Sequence, residues 1–196
     1  MKFDELNKLK RYFSVMELPQ SEKDKRVSLG NLFFDAFFYV FLLMKAEVKL
    51  DGEIDRDFYI RTLDGRIRDV LESKELPYDE EYIPRLTEDV IDATTRHLDD
   101  PYYFSKDRAL LVAQNEANTV MNSVDFANAK SSGKKYKRWV TEKDSRVRLS
   151  HEEVDETKIP IDDYFHVGND DLKFPHDYMN GSPENLINCR CTCLYE

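Results

Sequence analysis

Residues 139–151, WVTEKDSRVRLSH, and 167–191, VGNDDLKFPHDYMNGSPENLINCRC, decide how the chain is read. The span from Trp139 to Cys193 holds the only Trp, all three Cys and three of the four His. Its pattern is one of short strands and turns: Lys137–Thr141, Arg146–Leu149 and Asn188–Leu194 each read as a strand. Gly168, Pro175, Gly181 and Pro183 punctuate irregular connections between them. A compact α+β module of about 60 residues is expected, near the lower size limit for independent folding.

Upstream the period becomes helical. Phe3, Leu6, Leu9, Tyr12 and Phe13 recur at helical spacing, and Pro19 is expected to close that segment. Ser28 is placed to cap a second helix from near Leu29, LGNLFFDAFFYVFLLMKAEVKL, apolar on almost every side. Such a helix belongs at the centre of a bundle. The competing reading makes Phe33, Phe34, Phe37, Phe38 and Phe41 an aromatic docking surface. A third helix is predicted over Arg56–Ser73 with Phe58, Ile60, Leu63, Ile67, Val70 and Leu71 inward, and a fourth over Pro84–His97. Ser105 reads as the cap of a long helix from Lys106 to about Lys130, with Ala109, Ala113, Ala117, Val120, Val124 and Ala127 on its apolar side. Ser131-Ser132-Gly133 is its stop signal. The predicted class is α+β: a helical N-terminal region over 1–104, then the long helix and the C-terminal module over 105–196.

A hydrophobic share of 41% and an aromatic share of 12% belong to a globular chain, not a disordered one. The net charge of -10 argues against a general nucleic-acid coat. The charge is uneven, however. Eight basic residues lie between Lys130 and Arg148 against Glu142 and Asp144, whereas 149–196 carries three basic and eleven acidic residues. Lys130, Lys134, Lys135, Lys137 and Arg138 are therefore the candidates for nucleic-acid contact, with a solvated charged face as the plainer alternative. Three clustered Cys do not make a disulfide framework, and with no signal-peptide pattern they suggest a reducing, cytosolic compartment. The longest unbroken apolar piece, Ala36–Met44, falls short of the roughly 20 residues that span a bilayer, so no membrane partner is expected.

Three constellations compete in the module. Cys189, Cys191 and Cys193, with His151, His166 or His176, are proper zinc ligands. On a strand, though, the three thiols form a row and not a tetrahedron, so no metal and no cofactor is expected. His151, with Arg146 and Arg148 close by, is the minimum equipment of a metal-independent nuclease, acting as base and anion clamp. The preferred reading is a polar lock in which Trp139, Asp144, Arg148, His151, Asn188, Cys189, Arg190 and Cys191 tie the first and last elements of the module together.

The ordered combination of Asp144, Arg146, Arg148, Ser150 and His151, then Phe174-Pro175, then Asn188-Cys189-Arg190-Cys191, resembles the phage head-morphogenesis family that includes the Mu protein F-like minor head proteins. The resemblance runs from about Leu110 to Cys193 and includes the helix that leads through Gly133 to Trp139. It implies a minor component of a tailed-phage procapsid, working beside portal, capsid or scaffold proteins and contacting packaged DNA. Its expected location is the virion and the cytoplasm of the bacterial host. Some relatives carry C-x-x-C where this chain has Arg148 and His151, and a His where it has Ile187-Asn188. The resemblance implies that such relatives are equipped to hold zinc, and the replacements at Arg148, His151 and Ile187-Asn188 argue against it here. The family usually shows Asp-Gly after the His motif, whereas this chain reads Asp155-Glu156. The expected function is thus non-enzymatic; the rival is a phage-delivered effector with nuclease activity at His151, Arg146 and Arg148.

Overall fold

The computed structural model describes residues 3–196, with the side chains of Phe3 and Asp51 outside the described set. The Phe3 position of the first apolar stripe therefore has no structural counterpart here. Five helices come first: α1 (Phe3–Ser14), α2 (Gln20–Asp51), α3 (Arg56–Ser73), α4 (Tyr82–Thr95) and α5 (Lys106–Ser131). Then follow β1 (Tyr136–Val140), α6 (Leu149–Glu152), β2 (Lys158–Pro160), β3 (Phe165–Val167), β4 (Asp170–Leu172), α7 (Pro183–Leu186) and β5 (Thr192–Tyr195). The class is α+β.

Two compact units make up the chain. The first comprises residues 1–9 and 28–114, the second residues 10–27 and 115–196. This division differs from one at 104/105: it falls inside α5, and it assigns residues 10–27 to the second unit.

In the first unit Leu29, Phe33, Phe37, Phe41 and Met44 of α2 recur every three or four residues and are fully buried, as is Val40 beside them. Phe34 is buried as well, whereas Tyr39 and Leu42 are exposed, so α2 buries a broad stripe and not its whole circumference. Among the described residues, the helix over 20–50 alone is long and apolar enough to cross a membrane, and 56% of its most apolar window is buried within the fold. The expected start of this helix near Leu29 is wrong. Pro19 opens it, because the Pro19 carbonyl accepts from the N–H groups of Glu22 and Lys23 and a proline lacks only a donor that a first turn does not need.

The predicted span of α3 is the observed one, but Phe58 is exposed and Tyr59 takes its inward place. In α5, Ser105 Oγ accepts from Arg108 N as an N-cap does. Gly133, at φ 77, closes the helix with Lys134 N on Ala129 O and Gly133 N on Lys130 O. Ala127 faces out and Ala129 faces in.

The second unit carries the sheet, in the order β2-β1-β5, all antiparallel. Trp139 lies opposite Cys193, and Lys137 opposite Tyr195. A separate hairpin pairs β3 with β4 around Gly168, whose φ of 60 suits the first central position of a two-residue turn. Trp139, Phe165, Val167, Leu172, Phe174 and the three Cys form the core between these strands.

Two strand expectations fail. Residues 146–149 form no strand, because Asp144 captures the N–H of Arg146 in an Asx turn and α6 follows at once. The last strand starts at Thr192, not Asn188, whose φ of 60 bends the chain out of any extended ladder.

Candidate functional site

Asn188 is the pivot of the site. Its left-handed backbone turns residues 189–191 inward, so that the expected row of three thiols does not form. Instead Cys189 Sγ and Cys191 Sγ lie 3.6 and 3.4 Å from His151 Nδ1. The three donor atoms all sit within 4.8 Å of one another, and all three residues are buried. Cys193, two residues further on in β5, is opposite Trp139 and belongs to the apolar core.

The His151 ring is oriented from behind. Asn185 Nδ2 donates to Val167 O at 2.9 Å and to Asp170 Oδ2 at 2.8 Å, which turns Asn185 Oδ1 toward His151 Nε2 at 3.3 Å. Asp170 is in turn held by the N–H and hydroxyl of Ser182. The His151 proton thus belongs on Nε2, and the Nδ1 lone pair points at the two sulfurs. Trp139 packs edge-on against the ring with centroids 5.6 Å apart.

The sulfurs are unlike one another. Burial by itself raises the Cys189 thiol, but the Cys191 thiol and the imidazoles of His176 and His151 outweigh it and hold Cys189 well below its ordinary value. The neighbouring Cys189 and burial together push Cys191 well above its own. Cys193 is pushed up to about 12 by burial.

Arg190 forms the second tie. Its two terminal nitrogens donate to the two oxygens of Asp144 at 2.6 and 2.7 Å, and Asp144 also receives Arg146 N at 3.0 Å. The Arg190 hydrogen bonds hold the Asp144 carboxyl far below the usual range. Arg148 donates to Ile187 O at the exposed edge of the same region. Between them lies a recess with about 230 Å³ of empty space, its open mouth included; Glu142, Arg146, Arg148, His151 and both site Cys contribute to its wall. Burial pushes the Glu142 carboxyl up to about 7, and its Oε2 is buried without a hydrogen-bond partner.

Several residues that position this cluster escaped sequence reading. Asn115, Asn118 and Asn122 share one face of α5 and hold the returning chain. Asn115 Oδ1 accepts from Asn188 N, Asn118 Nδ2 donates to Cys189 O, and Asn122 Nδ2 donates to Pro175 O and Cys191 O. The fully buried Arg26 braces two of them through Asn118 Oδ1 and Asn122 Oδ1 and pairs with Asp125 at 2.9 Å. Tyr12 Oη and His176 Nε2 donate to the same Cys189 carbonyl. The available signal was three Asn at spacings of three and four along one face of the helix.

Of the nucleic-acid candidates, Lys134 and Lys135 are exposed. Lys130 is exposed but paired with Asp162, and Arg138 is paired with Glu156. Lys137 is a correction: it is fully buried, and its ammonium donates to Lys173 O at 2.6 Å beside the rings of Phe126 and Phe165. The two-residue period of β1 puts it on the same face as Trp139. His166 is exposed against Asp171, and His97 stacks on Tyr103 in the first unit, so neither joins the cluster.

Residues 79–194 match the family described as phage Mu protein F like protein. This extends the resemblance seen from Leu110 back through α4. No curated protein and no solved structure matches the chain. Because the match covers more than half of the sequence, and includes every side chain of the Cys–His–Asn cluster, the chain belongs to the phage Mu protein F-like family of head-morphogenesis proteins.

Proposed function

We propose that the chain is a minor head protein that acts without catalysis during head assembly, engaging portal, capsid or scaffold proteins through its helical part. The observation that carries this reading is the family match over residues 79–194. The chemistry of the C-terminal module supports it. Trp139, His151, Cys189, Arg190 and Cys191 are buried and engaged with groups of their own unit, as expected of a folded adaptor. A nuclease base needs an imidazole nitrogen free to reach a substrate proton, whereas His151 is 1% exposed with both ring nitrogens occupied. The exposure of Lys134 and Lys135 supports contact with packaged DNA through these two cations.

Co-expression with a tailed-phage portal protein from the same source tests the reading. The expected result is co-purification with portal or procapsid and no cleavage of DNA or RNA by the purified chain. Cleavage that disappears in the exposed-site variant Arg146→Ala would overturn it in favour of the delivered-effector alternative.

A further inference from the structure

His151, Cys189 and Cys191 are arranged as metal ligands although their spacing in sequence does not announce it. Zinc bonds of about 2.3 Å to sulfur and 2.05 Å to nitrogen at tetrahedral angles place the N and S atoms about 3.5 Å apart. The two observed separations are 3.4 and 3.6 Å. The tautomer is also the required one, since Asn185 takes the Nε2 proton and leaves the Nδ1 lone pair facing both sulfurs.

We propose that His151 Nδ1 and the thiolates of Cys189 and Cys191 bind one zinc ion, with water from the adjoining recess as fourth ligand. Zinc with two thiolates and a neutral imidazole carries no net charge, which suits a site whose protein donors are all buried. Sulfur and imidazole donors select zinc over magnesium or calcium. Cys191 N–H donates to Cys189 Sγ at 3.4 Å, a bond that favours the thiolate form. The recess supplies the second indication. Its wall includes the three ligands together with Glu142, whose Oε2 is buried and lacks a partner; a zinc-bound water gives that oxygen a donor. Glu142 lies outside the group gathered within 4.8 Å, so it serves as neighbour to the fourth ligand and does not itself bind the metal.

Binding needs both sulfurs as thiolates, so any thiol proton still held leaves to solvent; the ion ties α6 to the chain entering β5 and staples a small module. This inference is independent of the proposed role in head assembly, because its readout is metal content and not assembly.

The test uses the full chain, reduced, stripped with a chelator and titrated with cobalt(II) or zinc. Expected are one metal per chain, a thiolate-to-cobalt charge-transfer band, and a rise in Tm on adding zinc. Cys189→Ser and Cys191→Ser should abolish the band, Cys193→Ser should keep it, and Asn185→Ala should weaken zinc binding about 10–100-fold. The wild-type titration needs no variant to fold: a cobalt spectrum without thiolate charge transfer overturns the proposal. So does a Cys193→Ser variant that loses the band while Cys191→Ser retains it.

Discussion

Arg190 grips both carboxylate oxygens of Asp144, at 2.6 and 2.7 Å, across 46 positions of sequence. The guanidinium is nearly buried while the carboxylate is 34% exposed, so the pair closes the module at its rim with one partner committed to the interior. A planar fork on a carboxylate is among the strongest polar contacts available to a protein.

Asp144→Ala leaves the buried Arg190 charge without its acceptors and should lower unfolding stability by about 2–3 kcal/mol at pH 7. Arg148→Ala removes a donor from the Ile187 carbonyl, where water can replace it, and should cost less than about 1 kcal/mol. Urea unfolding of the two variants beside the wild type measures the difference. Equal losses would mean that the Asp144–Arg190 pair is no more than a surface contact.

The pH response of that pair has a defined sign. Asp144 is held below its unfolded value of 3.8, chiefly by the Arg190 hydrogen bonds, so its contribution is present above that value and disappears as pH falls toward the folded one. Asp144→Asn should therefore flatten the loss of stability below about pH 4. Melting temperatures recorded across the acid range check this.

Glu142 behaves in the opposite sense. Its carboxyl is raised by burial from 4.5 to about 7, so the unfolded chain loses the proton first as pH rises. Stability from this group is complete below 4.5, declines between 4.5 and about 7, and stays lost above. Glu142→Gln should remove that slope and make the protein more stable than wild type at pH 8. An identical slope in both proteins would place its origin elsewhere.

Lys137 separates burial from nucleic-acid contact. Lys134→Ala with Lys135→Ala should weaken DNA binding and reduce its salt dependence, whereas Lys137→Met should change neither. Burial lowers the Lys137 ammonium to about 8, so in the wild type stability rises between about pH 8 and the unfolded value of 10.5. Lys137→Met should abolish that rise, as thermal melts over the alkaline range would reveal.

Asn122→Ala strips Pro175 O and Cys191 O of a buried donor and Arg26 of an acceptor. A loss of about 2–3 kcal/mol is expected, against less than about 0.5 kcal/mol for the exposed Asn128→Ala on the same helix. Comparable losses at both positions would mean that the loss at Asn122 does not come from its buried hydrogen bonds, since alanine raises helix propensity at either position.

The helices were the most legible part of this chain. Phe33, Phe37, Phe41 and Met44 sit three or four residues apart because one side of a helix must face a core, and that regularity survives in the sequence. Pro19 is ambiguous in sequence, since a proline can follow the end of one helix or open another and only its hydrogen-bond partners tell which. For Lys137 the parity with Trp139 on β1, and not its charge, decides that it is buried.

Sequence alone determined the α+β class, the long helix with its Ser105 and Gly133 boundaries, the family, and the set of unusual side chains near the C-terminus. These follow from local rules, in which spacing, capping and turn preference act within a few residues. Tertiary structure alone decided that Asn188 would turn Cys189 and Cys191 onto His151, that Asp144 would meet Arg190, and that three Asn of α5 would hold the returning chain. Those contacts join residues tens of positions apart. Their geometry depends on how whole elements pack, and no local pattern records it.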